Sequence, residues 1–210
     1  MSPGEAARSH CDIHVNSQIR ESCQMLSTAY RMLAGEKAWV KFPRKGGERW
    51  EERPILERLG EYEWMDSTEA KIYWDCYHNH PCNVWVRESL DNYMFLLDLL
   101  DALNWQFIRR SNHGNSHGSW FQNHELLSDT RDLNFPRTGV TPFALAMPEV
   151  YRQDDPVESY REYYRREKSH LYFQNGGGPM WFGYSKGVMV PEWLHSNITV
   201  IGKSLVQENA

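Results

Sequence analysis

The chain has few of the features that settle a protein's class at once. Its 210 residues include only four cysteines. Cys11, Cys23, Cys76 and Cys82 form no Cys-x-x-Cys pair, which excludes a paired-thiol redox motif and leaves reduced structural thiols as the expectation, with zinc the lesser alternative. No apolar run approaches the roughly 18 residues of a membrane span, and residues 1–30 lack a basic-then-apolar leader. A soluble protein of the cytoplasm, with no membrane partner, is therefore expected. Excess positive charge is missing as well. With 23 Lys and Arg against 28 Asp and Glu the formal net charge is −5, which excludes a cation-coated surface for indiscriminate nucleic-acid binding, so any such contact must be local. There is no G-x-x-x-x-G-K-[ST] and no G-x-G-x-x-G, and Gly176-Gly177-Gly178 follows a helical stretch where a phosphate-cradling loop would precede one. Internal repeats and strong strand alternation are absent too.

What the chain does have is aromatic weight and helical periodicity. Nine Trp and eleven Tyr suit a rigid core with aromatic rims, or a stacking surface for bases. Apolar residues recur at helical spacing over 14–34, from Pro81 to about Arg110, and from Asp155-Pro156 to about Phe173, with a shorter helix over 67–77 capped by Ser67 or Thr68. Pro136, Pro142 and Pro148 punctuate an irregular segment over 134–150. The expected fold is mainly α: a single compact helical domain with long irregular connections. Residues 1–11 read as a loosely ordered start, 12–195 as the domain, 174–190 as a glycine-rich insertion within it, and 196–210 as a tail.

Two segments carry most of the chemistry. At about 100° per residue, Val15, Ile19, Cys23, Leu26, Tyr30 and Leu33 share one face of the 14–34 helix. His14, Gln18, Glu21, Gln24 and Thr28 share another. One carboxylate among neutral hydrogen-bonding groups is unlike a solvated face rich in Lys and Glu, and it reads as a pocket wall. The second segment runs from His78-Asn79-His80-Pro81 into Trp85, Arg87, Ser89, Asn92 and Tyr93. Pro81 suits a first helical turn, Asn79 stands where a cap belongs, and the polar, aromatic and cationic groups that follow suit an anion joined to a planar ring. The polar stripe is expected to face the start of this second helix.

Other signals are weaker. Lys37, Lys41, Arg44, Lys45, Arg49 and Arg53 make residues 35–53 a basic, glycine-containing excursion and the best candidate for meeting phosphate. Asp12 with His14, His78 with His80, and His113 with His117 offer nitrogen and oxygen ligands, but in none of the spacings that define a zinc site, so neither a metal nor another cofactor is expected.

The runs Asp12-x-His14-Val15, Glu21-x-x-Gln24-x-Leu26-Ser27-Thr28-Ala29 and Asn79-His80-Pro81-x-x-x-Trp85-x-Arg87-Glu88-Ser89-x-x-Asn92-Tyr93 resemble a family of mostly phage-encoded proteins described as pyrimidine-dimer DNA glycosylase-like. The likeness continues through Thr141-Pro142-Phe143, Ala146-Met147-Pro148, Tyr160-Arg161-x-Tyr163-Tyr164-x-x-Glu167-Lys168-x-His170 and Val190-Pro191-Glu192-Trp193, so it spans roughly residues 12–194. It implies a DNA partner and an enzyme acting at a base or its N-glycosidic bond. Glu21 is the one position it carries over as the catalytic carboxylate; in the pocket read from the two segments His14 would act beside it, and Gln18, Gln24, Thr28, Asn79, His80, Trp85, Arg87, Ser89, Asn92 and Tyr93 would bind substrate. In the endonuclease-V type of dimer glycosylase an N-terminal amine attacks the sugar C1′. Here about ten residues precede the motif, so a terminus exposed by processing, water and Lys168 all stand as nucleophiles. Base modification in the same pocket, non-catalytic nucleotide or nucleic-acid binding, interference with host defence, and metal-dependent hydrolysis through the histidine clusters are the alternatives.

Overall fold

Residues 2–111 and 114–168, without the Arg165 side chain, are described by a computed structural model of the chain. Among the described residues the fold is mainly α, with one two-stranded sheet. It begins with α1 (Pro3–Ser9), although residues 1–11 carry no periodicity. Ser2 accepts a hydrogen bond from the Glu5 N–H, and Pro3 occupies the first turn, where its missing N–H costs nothing. Ser-x-x-Glu followed by small residues was a capping signal strong enough to override the lack of an apolar stripe.

Helix α2 (Asp12–Ala34) buries the expected face: Val15, Ile19, Cys23, Leu26 and Tyr30 join a core with Tyr93, Leu96, Leu100, Leu103 and Leu127. It ends at Gly35, whose N–H bonds the Arg31 carbonyl at 2.8 Å. A Cβ at Gly35 would stand 2.4 Å from that carbonyl and 2.8 Å from the Pro54 Cβ, so the helix meets the following strands at a point only glycine fits.

The basic excursion is an antiparallel hairpin, β1 (Glu36–Arg44) and β2 (Gly47–Ile55), registered from Glu36 opposite Ile55 to Arg44 opposite Gly47. Gly46, at φ 95°, takes the left-handed turn position. Ala38 and Val40 point inward with Ile55 and Met65, while Trp39 and Lys41 point outward. Because β1 carries large apolar groups on both faces and β2 is mostly charged, the period of two is hidden in the sequence.

Residues 67–77 make only one tight turn, Ser67–Glu69, capped by Asp66 rather than by Ser67 or Thr68. The helix expected from Pro81 to Arg110 is two: α3 (Pro81–Val86) and α4 (Leu90–Arg110). His80, not Asn79, caps α3, accepting from the Cys82 N–H at 3.3 Å. At the break Ser89 caps α4, and the Arg137 N–H reaches the Glu88 carbonyl at 3.0 Å. Helix α5 (Gly118–Ser128), unread in the sequence, is capped by His117 and contributes Leu127 to the core. Helix α6 (Pro156–Tyr163) passes into a wide π turn over Tyr164–Lys168. The remainder of the helix expected to reach Phe173, the glycine-rich stretch 174–190, the tail 196–210 and His113 lie outside the described residues. Among the described residues no helix is long and apolar enough to cross a membrane.

Candidate functional site

A cleft of about 970 Å³ opens against the polar stripe of α2. That is within the roughly 300–1,000 Å³ of small-molecule sites. Its floor is apolar: Met25, Trp85, Phe95, Leu96, Leu99 and Phe143 line it. Trp85, Phe95 and Phe143 pack with ring centroids 4.9 to 6.0 Å apart, and the Trp85 indole N–H donates to the Thr141 carbonyl at 3.1 Å. Edge and tilted contacts of this kind fix the ring positions. The opposite wall is polar, with His14, Gln18, Glu21 and Gln24 from α2, and Tyr164 and Lys168 from the π turn.

Glu21 is exposed, and its Oε2 accepts from the Gln18 amide at 2.7 Å. His14 Nδ1 and the Tyr164 hydroxyl are 2.7 Å apart. Burial, and next the positive charge of Lys168, hold the His14 imidazole below its ordinary pKa, while burial pushes the Tyr164 phenol up. At neutral pH the pair is therefore an uncharged imidazole against a protonated phenol. His10, at the end of α1, completes this corner, with its ring centroid 6.1 Å from Tyr164 and 6.5 Å from His14. Its Nδ1–H must donate to the Ala6 carbonyl, 2.7 Å away, because a carbonyl only accepts. Burial depresses its pKa to about 4. Lys168 Nζ lies 5.3 Å from the centre of the Tyr163 ring, within cation–π range.

The rim is formed by Cys76, Tyr77 and His80. Tyr77 is held at φ 48°, a strained angle for a bulky residue, with its ring in solvent. The Asn83 amide clamps this turn, donating to the Cys76 and Tyr77 carbonyls at 3.0 and 2.8 Å.

The structure thus brings His14, Gln18, Glu21, Gln24, His80 and Trp85 to one cleft, with α2 and the start of α3 on its walls. Six residues expected there line other places. Thr28 is buried and staples α2 to the next segment, its hydroxyl accepting from the Cys76 N–H at 3.1 Å. Asn79 is an exposed turn residue. Arg87 ends α3 outside the cleft lining, with its Nη1 buried and unpartnered, and desolvation lowers its pKa. Ser89 is a buried cap. Asn92 is fully buried and holds Thr141 and the Trp85 carbonyl by bonds of 2.7 to 2.9 Å. Tyr93 is a core residue whose hydroxyl donates to the Leu127 carbonyl, which leaves its ring no face for a base. These polar groups gather at the α3–α4 break because the backbone needs partners there.

Missed in the sequence were His10, Phe143 and the role of Tyr164. The Ser2-Pro3 cap and the Tyr160/Tyr163/Tyr164 cluster were the available signals. Of the described histidines weighed as ligands, His78 bonds Asp75 at 2.5 Å, and His80 and His117 cap helices. Among the described residues no three His, Cys, Asp or Glu side chains come together to hold a metal ion. No family model, no curated protein and no solved structure matches this chain.

Proposed function

We propose that the cleft receives a nucleobase and that the chain, as a single domain working on DNA in the cytoplasm, acts at the N-glycosidic bond of that base. The resemblance to the phage-type glycosylase-like family supports this reading. The observation that carries it is the pairing of an aromatic floor with an open carboxylate: Trp85 and Phe143 below, Glu21 on the polar wall.

The chemistry follows from the groups present. As the C1′–N bond breaks, its electron pair leaves with the base, and positive charge develops on the sugar. Glu21 stabilises that charge and takes a proton from the attacking water, whose oxygen forms the new bond to C1′. The leaving nitrogen needs a proton, which the Lys168 ammonium supplies. With Lys168, its Nζ over the Tyr163 ring, assigned as that donor, water is the attacking group. The neutral His14, anchored by Tyr164, orients base or water by hydrogen bonding.

The test is Glu21→Gln, which keeps shape and hydrogen-bonding reach and removes the charge. Base release from normal, ultraviolet-damaged and hypermodified DNA should fall by about 10²- to 10⁴-fold with substrate affinity kept. Undiminished release in the variant refutes the assignment. A change in base mass without release points to base modification, and binding without any turnover to a binding protein.

A further inference from the structure

The outer face of the hairpin carries an aromatic cluster that the cleft does not use. Trp39, Trp50 and Trp64 are 43, 41 and 57% exposed. Alternation puts Trp39 and Lys41 of β1 outward, and the register sets Trp50 of β2 directly opposite Lys41 on the same face. Trp64 comes from the segment beside β1, where its N–H donates to the Trp39 carbonyl at 2.7 Å. Its ring lies nearly parallel to Trp39, with centroids 6.5 Å apart and planes at 9°, and edge-on to Trp50 at 5.4 Å.

Two further observations mark this face as more than incidental exposure. Trp64 sits at φ 67°, a strained position for a bulky residue, and the ring it presents is the most exposed of the three, so the strain is not offset by burial. Charge is distributed unevenly along the same hairpin. Lys37, Lys41, Arg49 and Arg53 are paired with Glu52, Glu48, Glu51 and Glu51 respectively. Among the described residues, Arg44 and Lys45 at the tip have no acidic partner, in a chain of net charge −5.

We propose that the hairpin binds single-stranded nucleic acid, with bases stacking on Trp39, Trp50 and Trp64 of its outer face and phosphates meeting Arg44 and Lys45 at its tip. Exposed rings on one face and free cations at the tip of the same hairpin fit a ligand that joins planar groups to anions, and only an unpaired strand offers its base faces. The choice of nucleic acid as that ligand rests on the proposed function. The hairpin would hold the strand while the cleft takes one base.

Anisotropy of a labelled oligothymidylate tests the surface. Trp64→Gly removes a ring at an angle glycine adopts freely, and Trp50→Ala removes an exposed one, so the two variants read the same face independently of any folding defect in either. Each should weaken binding by roughly 5- to 150-fold, with the salt dependence kept. Arg44→Ala with Lys45→Ala should instead reduce the slope of log affinity against log salt by about 1.4. Wild-type affinity in both Trp variants, or no binding by the wild type, overturns the proposal. Oligonucleotide binding through these rings without turnover of any DNA keeps the surface and defeats the enzymatic reading. Turnover in a protein whose binding ignores the rings does the reverse.

Discussion

Arg31 shows how much one side chain holds in this molecule. It and Glu61 are both 0% exposed and share two bonds of 2.7 Å. The remaining guanidinium hydrogens reach the carbonyls of Tyr73, Pro54 and Ile72, and the plane lies 4.2 Å from the centre of the Trp74 ring. Glu61 in turn accepts from the Leu56 and Lys71 N–H groups at 2.9 and 3.0 Å. Both charges are therefore fully satisfied, and the pair ties α2, β2 and the 56–74 segment to one point. Removing one partner strands the other charge in the interior. Glu61→Ala should cost about 3–5 kcal/mol in urea unfolding, and replacing both by apolar residues of similar volume, Arg31→Met with Glu61→Leu, should recover only the part due to the stranded charge, since the backbone groups the pair satisfies stay unpaired. An equal loss in the single and double variants would show that packing and not charge dominates here. Arg31 gave a faint signal in the sequence, as a lone cation among Ala29, Tyr30, Met32 and Leu33, but nothing near it in the chain named its partner thirty residues away.

At the scale of elements, what was legible was what is local. The two stripes of α2 follow from its own spacing, and the structure gives each the separate environment that spacing implies, core for Val15 to Tyr30 and cleft for His14 to Gln24. The α3–α4 break was illegible because tertiary contacts make it. Spacing alone continues from Trp85 to Leu103, yet the chain bends where Glu88 and Asn92 take hydrogen bonds from the 137–141 segment. Asn92 is central to that junction, since its amide donates to Trp85 and Thr141 and its Oδ1 accepts from the Thr141 N–H. Asn92→Ala leaves these buried groups unpaired, at about 1–3 kcal/mol. Loss of the Ser89 cap through Ser89→Ala costs less, typically about 1 kcal/mol. Because residues 141–146 supply Phe143 and Ala144 to the cleft, Asn92→Ala should also speed amide exchange there. Exchange unchanged over 141–146 would mean that Pro142 and the aromatic packing of Phe143 hold the segment without Asn92.

For the whole molecule, the corner joining α1, α2, α4 and the π turn couples the cleft to stability. Arg110, at the end of α4, donates to the His10 carbonyl at 2.8 Å and to Asp12 at 3.1 Å, and so pins the junction of α1 and α2. The junction closes over imidazoles that resist protonation: His10, chiefly through burial, has its pKa depressed from 6.5 to about 4, and His14 is lowered by burial and by Lys168. A histidine kept neutral in the fold binds fewer protons than it does in the unfolded chain. Between pH 6.5 and about pH 4 the unfolded state takes up the proton first, so the stability that the neutral ring supports above this window is lost progressively as pH falls through it. For His10 alone the difference is on the order of 3 kcal/mol. His10→Gln supplies an uncharged donor in place of the ring. Its unfolding free energy should therefore vary less than that of the wild type between pH 7 and pH 4.5, even if it is lower at pH 7. The same corner holds the His14–Tyr164 pair against the cleft, so protonation that opens the α1–α2 junction should disorder the polar wall of the cleft as well. A wild-type profile as flat as that of His10→Gln would mean that the junction stays hydrated enough for His10 to titrate as it does in water.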